Sequence, residues 1–303
     1  MPKTCIIIVT YNAMQWAERC FSSVRKSSVP VHSIVIDNGS SDGTQEYIKT
    51  RFPEIEFIQA EKNLGFGKAN NLGLKKALEL GGDYFFLLNQ DAWTEENTIE
   101  LLVEQAEKNP QYGIISPMHL NGKGTALDYN FSNYIAPNHC KNLYSDFVLN
   151  KVENKIYESG FICAAAWLLT KNCLKTVGGF SPTFFHYAED DNYVHRLLHK
   201  GLKIGVVPSA KIYHDRENRT GGKPGNEMER DLFLKYSSPE NHLNIDIRIK
   251  QLKFRIMKNF LLGKGKTNEI LKKELDFLTK NKEQIQRNFK LSISDKEFVF
   301  LDD

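Results

Sequence analysis

The chain has 303 residues, of which 41% are hydrophobic and 25% charged, as in ordinary soluble globular proteins. Its longest uninterrupted apolar run, residues 161–169, is shorter than the ~20 residues that span a bilayer, which argues against a transmembrane helix. Five cysteines without a Cys-x-x-Cys pair argue against a cysteine-based metal site and fit a reducing cytosol. These features predict a cytoplasmic protein.

Strand and helix patterns alternate along the first half of the chain. Strands rich in β-branched and aromatic residues are predicted at 3–10, 32–37, 54–60, 84–88 and 112–116, with helical patterns between them. Because helices connect the strands, they are expected to form βαβ units and a mostly parallel sheet. Residues 117–158 show no clear period, and further strands are predicted at 156–170, 202–208 and 210–214. The sequence therefore predicts an α/β fold.

The charge changes towards the end of the chain. Thirteen Lys or Arg and four Asp or Glu lie between Arg248 and Lys290, although the net charge of the whole chain is only +3. The stretch Gly221–Gly225 interrupts the pattern, and periodic Leu, Ile and Phe beyond it indicate helices. We therefore expect one domain over residues 1–220 and a basic, mainly helical region over 221–303.

Polar side chains follow three of the predicted strands at the point where each strand ends. They are Thr10, Tyr11 and Asn12 after the first strand, Asp37 and Asn38 after the second, and Asn89, Gln90 and Asp91 after the fourth. In open parallel sheets, ligands bind outside the carboxyl ends of the strands. Three such endings together predict a binding site at this edge of the sheet.

The acidic character of this edge indicates the kind of ligand. No Gly-rich phosphate loop follows the first strand, so a diphosphate beside Asp37 and Asp91 needs a divalent cation, and carboxylates suit Mg²⁺ or Mn²⁺. We interpret Asp91 as a metal ligand that holds a nucleotide diphosphate, and Asp37 as an acceptor for the base or ribose. The alternative is that both aspartates only form turns.

A second polar group lies further along the chain. Glu189, Asp190 and Asp191 begin a predicted helix, where the helix dipole favours carboxylates. Three adjacent carboxylates also repel each other, which favours a raised pKa for one of them, as a general base needs. His214 ends a later strand and offers an imidazole as an additional metal ligand.

The order of these motifs resembles a known enzyme family. The motifs are IIIVTYN, VIDNGSSDGT, EKNLGFGKANNLGL, FFLLNQDA and the long segment from Gly178 to His214. They are similar to the inverting glycosyltransferases of family 2, especially to the bacterial rhamnosyltransferase-like branch that builds surface polysaccharide. The resemblance covers roughly residues 3–215. It implies the GT-A fold, a Rossmann-like, mostly parallel sheet flanked by helices, here with a C-terminal helical extension.

The resemblance also implies roles for individual residues. Asn89-Gln90-Asp91 takes the place of the DxD motif, so that Asp91 with His214 binds Mn²⁺ or Mg²⁺. Asp190 takes the place of the catalytic base, with Glu189 beside it. Because the family's Glu-Asp-x-Asp pattern ends here in Asn192, Asp191 is the alternative base. The residues expected to bind the nucleotide sugar are Thr10, Tyr11, Asn12, Asp37, Asn38, Asn63, Gly65, Asn70, Asn89, Gln90 and Arg219.

The predicted activity is metal-dependent, inverting transfer of a sugar from a nucleoside-diphosphate sugar to a hydroxyl of a saccharide or lipid-linked saccharide. The basic stretch after His214, with Arg216, Arg219 and Lys223, is interpreted as a mobile lid or as a solvated linker. Two other functions stay open. One is a catalytically inactive nucleotide-sugar-binding subunit, because of Asn89 and Asn192. The other is a sugar-1-phosphate nucleotidyltransferase, although its Gly-rich loop is missing.

The basic helices have three interpretations. Alternating Lys or Arg with Leu, Phe, Ile and Met between residues 250 and 264 is typical of a helix at an anionic membrane surface. Packing on the catalytic domain, or on a second subunit in a homodimer, is the alternative. No motif that reads nucleic acid is present, which argues against a nucleic-acid partner. We therefore expect a cytoplasmic location, with peripheral attachment to the inner face of the membrane as an open alternative.

Overall fold

The structure is a computed structural model that describes residues 2–152, 154–218, 226–240, 243–263 and 265–301, and the side chains of 265–267 lie outside that description. The strands of these residues are β1 (Thr4–Thr10), β2 (Val31–Asp37), β3 (Glu56–Gln59), β4 (Tyr84–Asn89), β5 (Ala92–Thr94), β6 (Tyr112–Asn121), β7 (Tyr157–Ser159), β8 (Ala166–Thr170) and β9 (Lys203–His214). The helices are α1 (Met14–Arg25), α2 (Thr44–Arg51), α3 (Phe66–Glu79), α4 (Thr98–Lys108), α5 (Tyr129–Tyr134), α6 (Leu143–Val148), α7 (Lys171–Val177), α8 (Glu189–His199), α9 (Glu227–Ser237), α10 (Ile245–Leu261) and α11 (Gly265–Ile293).

All of these strands join in one sheet. The order is β3-β2-β1-β4-β8-β6-β9-β5, and β7 pairs with β9. Strands β1, β2, β3, β4, β6 and β9 run in one direction, whereas β5, β7 and β8 run against them. The prediction of a mostly parallel sheet flanked by helices is confirmed.

Strand β1 shows how the sheet holds the two sides of the core together. Cys5 and Ile7 point into an apolar cluster with α3 and α8, whereas Ile6 and Ile8 point into a second cluster with α1 and α4. Successive side chains of a strand alternate between faces, and a parallel strand is covered on both. Each buried isoleucine contributes about 1.5–3 kcal/mol to folding. The ends of β1 are therefore held in a fixed position at the sheet edge.

Three predictions for the strands were wrong in detail. Residues 202–214 form one strand, β9, instead of two, because the pairing with β6 skips from Val207 to Lys211 and leaves Pro208 in a bulge. Proline has no N–H for the ladder, so it interrupts pairing without ending the extended chain. Residues 156–170 form two strands, β7 and β8, and β6 continues to Asn121. The stretch without a period, 117–158, contains the short helices α5 and α6.

Helices α9, α10 and α11 confirm the predicted helical extension. They share an apolar cluster that includes Leu232, Tyr236, Leu252, Leu278 and Ile285, and α11 also contacts α8. None of the described helices has the length and apolarity needed to cross a bilayer. The division of the chain into two domains at residue 220 stays a prediction, and that boundary lies outside the described residues.

Residues 298–301, which we call the strap, return from the helical extension to the part of the chain that contains the sheet. The Val299 carbonyl accepts a hydrogen bond from the Gly179 N–H, and Asn71 Nδ2 donates one to the Phe300 carbonyl. Gly178 has φ +81°, and a Cβ there would lie 2.0 Å from the Val299 oxygen, so only glycine fits. The strap thus fixes the turn that leads from α7 towards α8.

Candidate active site

A cavity of about 740 Å³ lies at the carboxyl ends of β1, β2 and β4. Parallel pairing places Thr10 beside Asp37 and Val9 beside Asn89, which brings the three polar strand ends to one edge. The lining residues come from these ends, from the start of α1 and α3, and from the segment before α8. They are Val9, Tyr11, Asn12, Met14, Gln15, Trp16, Asn38, Asp42, Asn63, Gly65, Phe66, Asn89, Gln90, Asp91, Phe185, His186 and Tyr187.

Two amide side chains join the strand ends to one another. Gln90 accepts a hydrogen bond from the Tyr11 N–H (2.7 Å) and donates one to the Tyr11 carbonyl (3.1 Å). Asn12 donates its N–H to Ser40 Oγ and accepts the Ser41 N–H on its side-chain oxygen. The edge is therefore rigid, while the ring of Tyr11 stays exposed beside the cavity.

Asp37 lies behind this edge and does not line the cavity. Its buried carboxylate accepts hydrogen bonds from Thr10, Gly39, Ser40, Gln45 and Gln59. Burial acts to raise the pKa of Asp37, but these hydrogen bonds outweigh it and hold the pKa below the usual range. In this arrangement Asp37 shapes the turn that carries Asn38, and its direct contact with a nucleotide stays a prediction.

The loop before α3 is fixed from both sides. Asn38 donates to the Gly65 carbonyl and accepts the Leu64 N–H, while Asn63 accepts the Gly65 N–H. Gly65 has φ +81°, and a Cβ there would lie 2.1 Å from the Phe185 carbonyl oxygen. Asn70, by contrast, is buried and donates to the Phe66 carbonyl within α3, so it supports the helix start from behind.

Asp91 lines the cavity, and His214 lies directly behind it without lining the cavity, because β5 pairs with β9 so that Ala92 is opposite His214. Both are buried, and His214 Nε2 lies 3.4 Å from Asp91 Oδ1. On the other side of the ring, His214 Nδ1 lies 3.2 Å from Asp128 Oδ2. Carboxylates thus lie on both sides of the ring, and with a cation between Asp91 and Nε2 the imidazole would keep its proton on Nδ1, directed at Asp128.

This donor pair fits a hard divalent cation. It offers one carboxylate oxygen and one imidazole nitrogen whose orientation a second carboxylate fixes. Within the described ranges, no group of three or more His, Cys, Asp or Glu side chains is arranged to hold a metal ion. The remaining ligands of a Mn²⁺ or Mg²⁺ would therefore come from water or from a bound ligand.

Asp128 is the residue of this site that the sequence did not reveal. It is buried, caps α5 by accepting the Phe131 N–H (2.9 Å), and accepts the Arg216 Nε–H (2.8 Å). Burial acts to raise the pKa of Asp128, but His214, the Phe131 N–H and the charge of Arg216 hold the pKa well below the usual range. It lies in the stretch without a period. The only signal was the general rule that a ligating histidine has a carboxylate partner, which does not say which one.

The carboxylates at the start of α8 lie in a less polar environment. Glu189 is buried, and among the described residues its Oε2 has no hydrogen-bond partner. Burial, reinforced by the charges of Asp190 and Asp191, raises the pKa of Glu189. Burial also raises the pKa of Asp190 and of Asp191. The anionic forms are therefore disfavoured, so the cluster can take up a proton near neutral pH.

Arg216 connects this cluster to the Asp91–His214 pair. Its Nε donates to Asp128, and its Nη2 lies 3.2 Å from Cys163 Sγ. The next residue, Ala164, directs its N–H at Asp190 Oδ2 (3.5 Å). The three carboxylates of the cluster do not line the cavity themselves, although the segment directly before α8 does.

Of the other residues singled out in the sequence, Asn192 is described by the structure, whereas two of the basic residues after His214 are not. Asn192 is buried and accepts from Arg196 Nε while donating to Ser238 Oγ, so it supports α8 from behind. Arg219 and Lys223 lie outside the described residues, and the lid predicted for them stays a prediction.

Comparison with known proteins finds sequence relatives that are named as rhamnosyltransferases. An N-acetylglucosaminyl-diphospho-decaprenol L-rhamnosyltransferase of Mycobacterium tuberculosis is 24% identical over 243 residues, which cover 74% of this chain and 79% of the relative. The O-antigen chain rhamnosyltransferase WbaN of Salmonella anatum is 26% identical over 222 residues, covering 71% of this chain and 66% of the relative. The chain thus resembles rhamnosyltransferases over most of its length.

Solved structures show the same fold. GalNAc-T7, solved with UDP, GalNAc and Mn²⁺, matches with a TM-score of 0.59 and 17% identity over 78% of this chain, which spans about half (48%) of that protein. Residues 1–349 of Staphylococcus aureus TarS, solved with UDP-GlcNAc, match with a TM-score of 0.56 and 18% identity, covering 76% of this chain and 63% of that one. These likenesses confirm the predicted GT-A fold.

The family assignment comes from the sequence. The model of the family described as glycosyl transferase family 2 matches residues 5–177, from β1 to the end of α7. Since this match extends over more than half of the chain, and its relatives are glycosyltransferases, the chain is a glycosyltransferase that belongs to glycosyl transferase family 2.

Proposed function

We propose that this enzyme transfers a sugar, with inversion, from a nucleoside-diphosphate sugar to a hydroxyl of a saccharide or lipid-linked saccharide in bacterial surface polysaccharide biosynthesis. The observation that carries the proposal is the Asp91–His214 pair at the cavity, with the carboxylate cluster of α8 joined to it through Arg216. The name of the M. tuberculosis relative, which includes N-acetylglucosaminyl-diphospho-decaprenol, supports a lipid-linked acceptor.

The donor nucleotide occupies the cavity in this proposal. The exposed ring of Tyr11 and the amides of Asn12, Asn38 and Asn63 offer stacking and hydrogen bonds to a base and ribose. Asp91 and His214 would hold Mn²⁺ or Mg²⁺, which when bound supplies positive charge opposite the departing diphosphate. GalNAc-T7, solved with UDP, and TarS, solved with UDP-GlcNAc, support a nucleotide or nucleotide sugar as the ligand of this fold.

Asp190 acts as the general base. It takes the proton of the acceptor hydroxyl while the hydroxyl oxygen bonds to the anomeric carbon and the bond from that carbon to the diphosphate breaks on the opposite side. General-base catalysis of this type contributes about 10²–10⁴ in rate. Asp190 is favoured over Asp191 because it takes the place of the family's base and because it faces Ala164, the neighbour of Cys163, which Arg216 contacts on its way to Asp128.

A lipid-linked acceptor determines where the enzyme works. The lipid holds the acceptor sugar at the bilayer surface, so we place the enzyme at the inner face of the cytoplasmic membrane. Asn192 and Asn89 were the two reasons to consider a catalytically inactive subunit. Asn192 no longer supports that alternative, because it accepts a hydrogen bond from Arg196 and so has a structural role. The other reason, Asn89, is tested by measuring donor hydrolysis with Mn²⁺, which an inactive subunit does not perform.

The decisive experiment measures thermal stability with UDP, GDP, CDP and dTDP, each with and without Mn²⁺. We expect one nucleotide to stabilise the protein only with Mn²⁺, by about 2.7 kcal/mol at 100 times its dissociation constant, a shift of a few degrees. Asp91→Ala removes the Mn²⁺-dependent part, whereas Asp295→Ala, an exposed carboxylate, does not. No shift with any nucleotide contradicts the donor site, and an unchanged Mn²⁺ effect in Asp91→Ala contradicts the metal assignment.

A further inference from the structure

Helix α10 is apolar on two opposite sides, and among the described residues only one of these sides is covered. Leu252 is buried and Ile256 packs beside it in the cluster shared with α9 and α11. Ile247, Phe254 and Leu261 follow one another at intervals of seven residues and are 55%, 60% and 76% exposed. At about 100° per residue, residues seven apart lie nearly in line, and Phe254 lies about 200° around the helix from Leu252. A row of apolar side chains, with Lys250 and Lys258 between them, therefore faces away from the protein.

The exposed apolar side chains extend along most of helix α10. From Ile247 to Leu261 the row extends about 21 Å along the helix. Met257 lies beside the row, and Phe260 and Leu262 at the end of the helix are exposed as well. Single exposed apolar side chains are normal on soluble proteins, but several on one face and one end of a helix indicate an interaction surface.

The charges beside the row identify its partner. Lys250, Lys253, Arg255 and Lys258 are all exposed on the same helix. The acidic residue of α10, Asp246, pairs with Lys282 of α11. An apolar row flanked by cations matches an anionic lipid surface, in which the acyl region receives the apolar side chains and the headgroups meet the lysines.

We propose that the outer face of α10 docks on an anionic membrane, with the helix lying in the plane of the interface. This rests on the proposed function for its purpose, since it would hold the enzyme beside a lipid-linked acceptor. A second copy of this chain fits the face less well. Symmetric pairing through the row brings Lys250 and Lys258 of both copies together, and like charges at an interface are unfavourable.

Flotation with vesicles tests the surface. The full chain is mixed with phosphatidylcholine vesicles with or without phosphatidylglycerol, and the lipid-bound fraction is measured at low and high salt. We expect binding only with phosphatidylglycerol. Phe254→Ser with Leu261→Ser lowers the partition coefficient on the order of a hundredfold. Lys250→Gln with Lys258→Gln lowers it about fivefold per lysine. The matched control is Val148→Ser with Leu149→Ser, at side chains 63% and 58% exposed on another part of the surface, and it binds as the unchanged protein does.

Three results would overturn the proposal. They are absence of binding to anionic vesicles, equal loss in the control, and a dimer in sedimentation that Phe254→Ser with Leu261→Ser dissociates without any vesicle binding. The response to nucleotide and Mn²⁺ is measured on the same variants and is expected to stay unchanged. If the unchanged protein floats but shows no nucleotide response, the proposed activity is wrong while the surface stands. If the protein responds to nucleotide but does not float, the membrane-docking proposal is wrong and the proposed activity stands.

Discussion

Asp128→Asn tests whether Asp128 fixes the orientation and the protonated nitrogen of His214 for binding a metal ion. The amide has the size of the carboxylate, and its oxygen can still cap α5 by accepting the Phe131 N–H. Its NH₂ group, however, cannot accept the His214 Nδ1–H across the 3.2 Å that separate them. Without that acceptor, the His214 proton is no longer held on Nδ1. A proton on Nε2 would face Asp91 and prevent Nε2 from binding a metal ion.

The magnitude follows from what such outer carboxylates contribute elsewhere. Removing the partner of a ligating histidine costs 10–100-fold in metal affinity, which is about 1.4–2.8 kcal/mol. The measurement is the Mn²⁺ concentration that gives half of the nucleotide-dependent rise in melting temperature, and we expect it to increase by that factor.

The control is Asp146→Asn in the same stretch of the chain, where the carboxylate accepts the Tyr157 hydroxyl and has no part in the His214 contacts. Its Mn²⁺ midpoint is expected to equal that of the unchanged protein. An Asp128→Asn variant that folds and keeps the original midpoint would refute the reasoning, because His214 would then be oriented without the carboxylate.

Asp190→Asn is expected to lower turnover by about 10²–10⁴ with an unchanged nucleotide and Mn²⁺ response; a loss below tenfold, or an equal loss in Asp191→Asn, speaks against Asp190 as the base. Glu189→Gln is expected to be as stable as the unchanged protein at pH 5 and more stable at pH 8. The pKa of Glu189 is raised in the fold, so the native state loses stability as the pH rises from the ordinary glutamate value through the raised one, whereas glutamine does not titrate. Urea unfolding at the two pH values checks this, and an equal difference at both would be inconsistent with a raised pKa. Gly65→Ala places a Cβ 2.1 Å from the Phe185 carbonyl oxygen at a φ of +81°, so a loss of 1 kcal/mol or more (roughly 1–3) and weaker nucleotide binding are expected. Unchanged unfolding in urea would show that the loop can move aside.

The sheet edge could be predicted because its signals are local. An apolar run that ends in Thr10-Tyr11-Asn12 or Asn89-Gln90-Asp91 reads as a strand end in any context, and parallel pairing brings such ends together. Helix α3 shows where local periodicity fails. Leu72 follows the buried Ala69 by three residues, a spacing that predicts an inward side chain, but it is 41% exposed. The helix approaches the sheet at Gly73, where a Cβ would lie 2.4 Å from Ile7 Cγ2, and this turns Leu72 outward.

The parts of the site that could not be predicted depend on contacts between distant segments. Asp37 and Asp91 look alike in sequence, as acidic residues after an apolar run. Only the structure shows that Gln45 and Gln59 close around Asp37 and hold it away from the cavity, while Asp91 lines it. The role of Asp128 likewise depends on its contact with His214 of β9, which lies more than eighty residues further along the chain.

The strap limits how the helical extension of this chain could be exchanged for another one. The family match ends at Val177, directly before Gly178, whose backbone has room only for the Val299 carbonyl. A chain that ended after β9 would keep Asp91, His214 and the α8 carboxylates but would leave the Gly179 N–H without its acceptor. A recombination event that replaced the helical extension would therefore also have to supply a new segment for this turn. The part of the chain that the family model matches therefore depends, at its last residues, on packing that a segment 120 residues further along supplies.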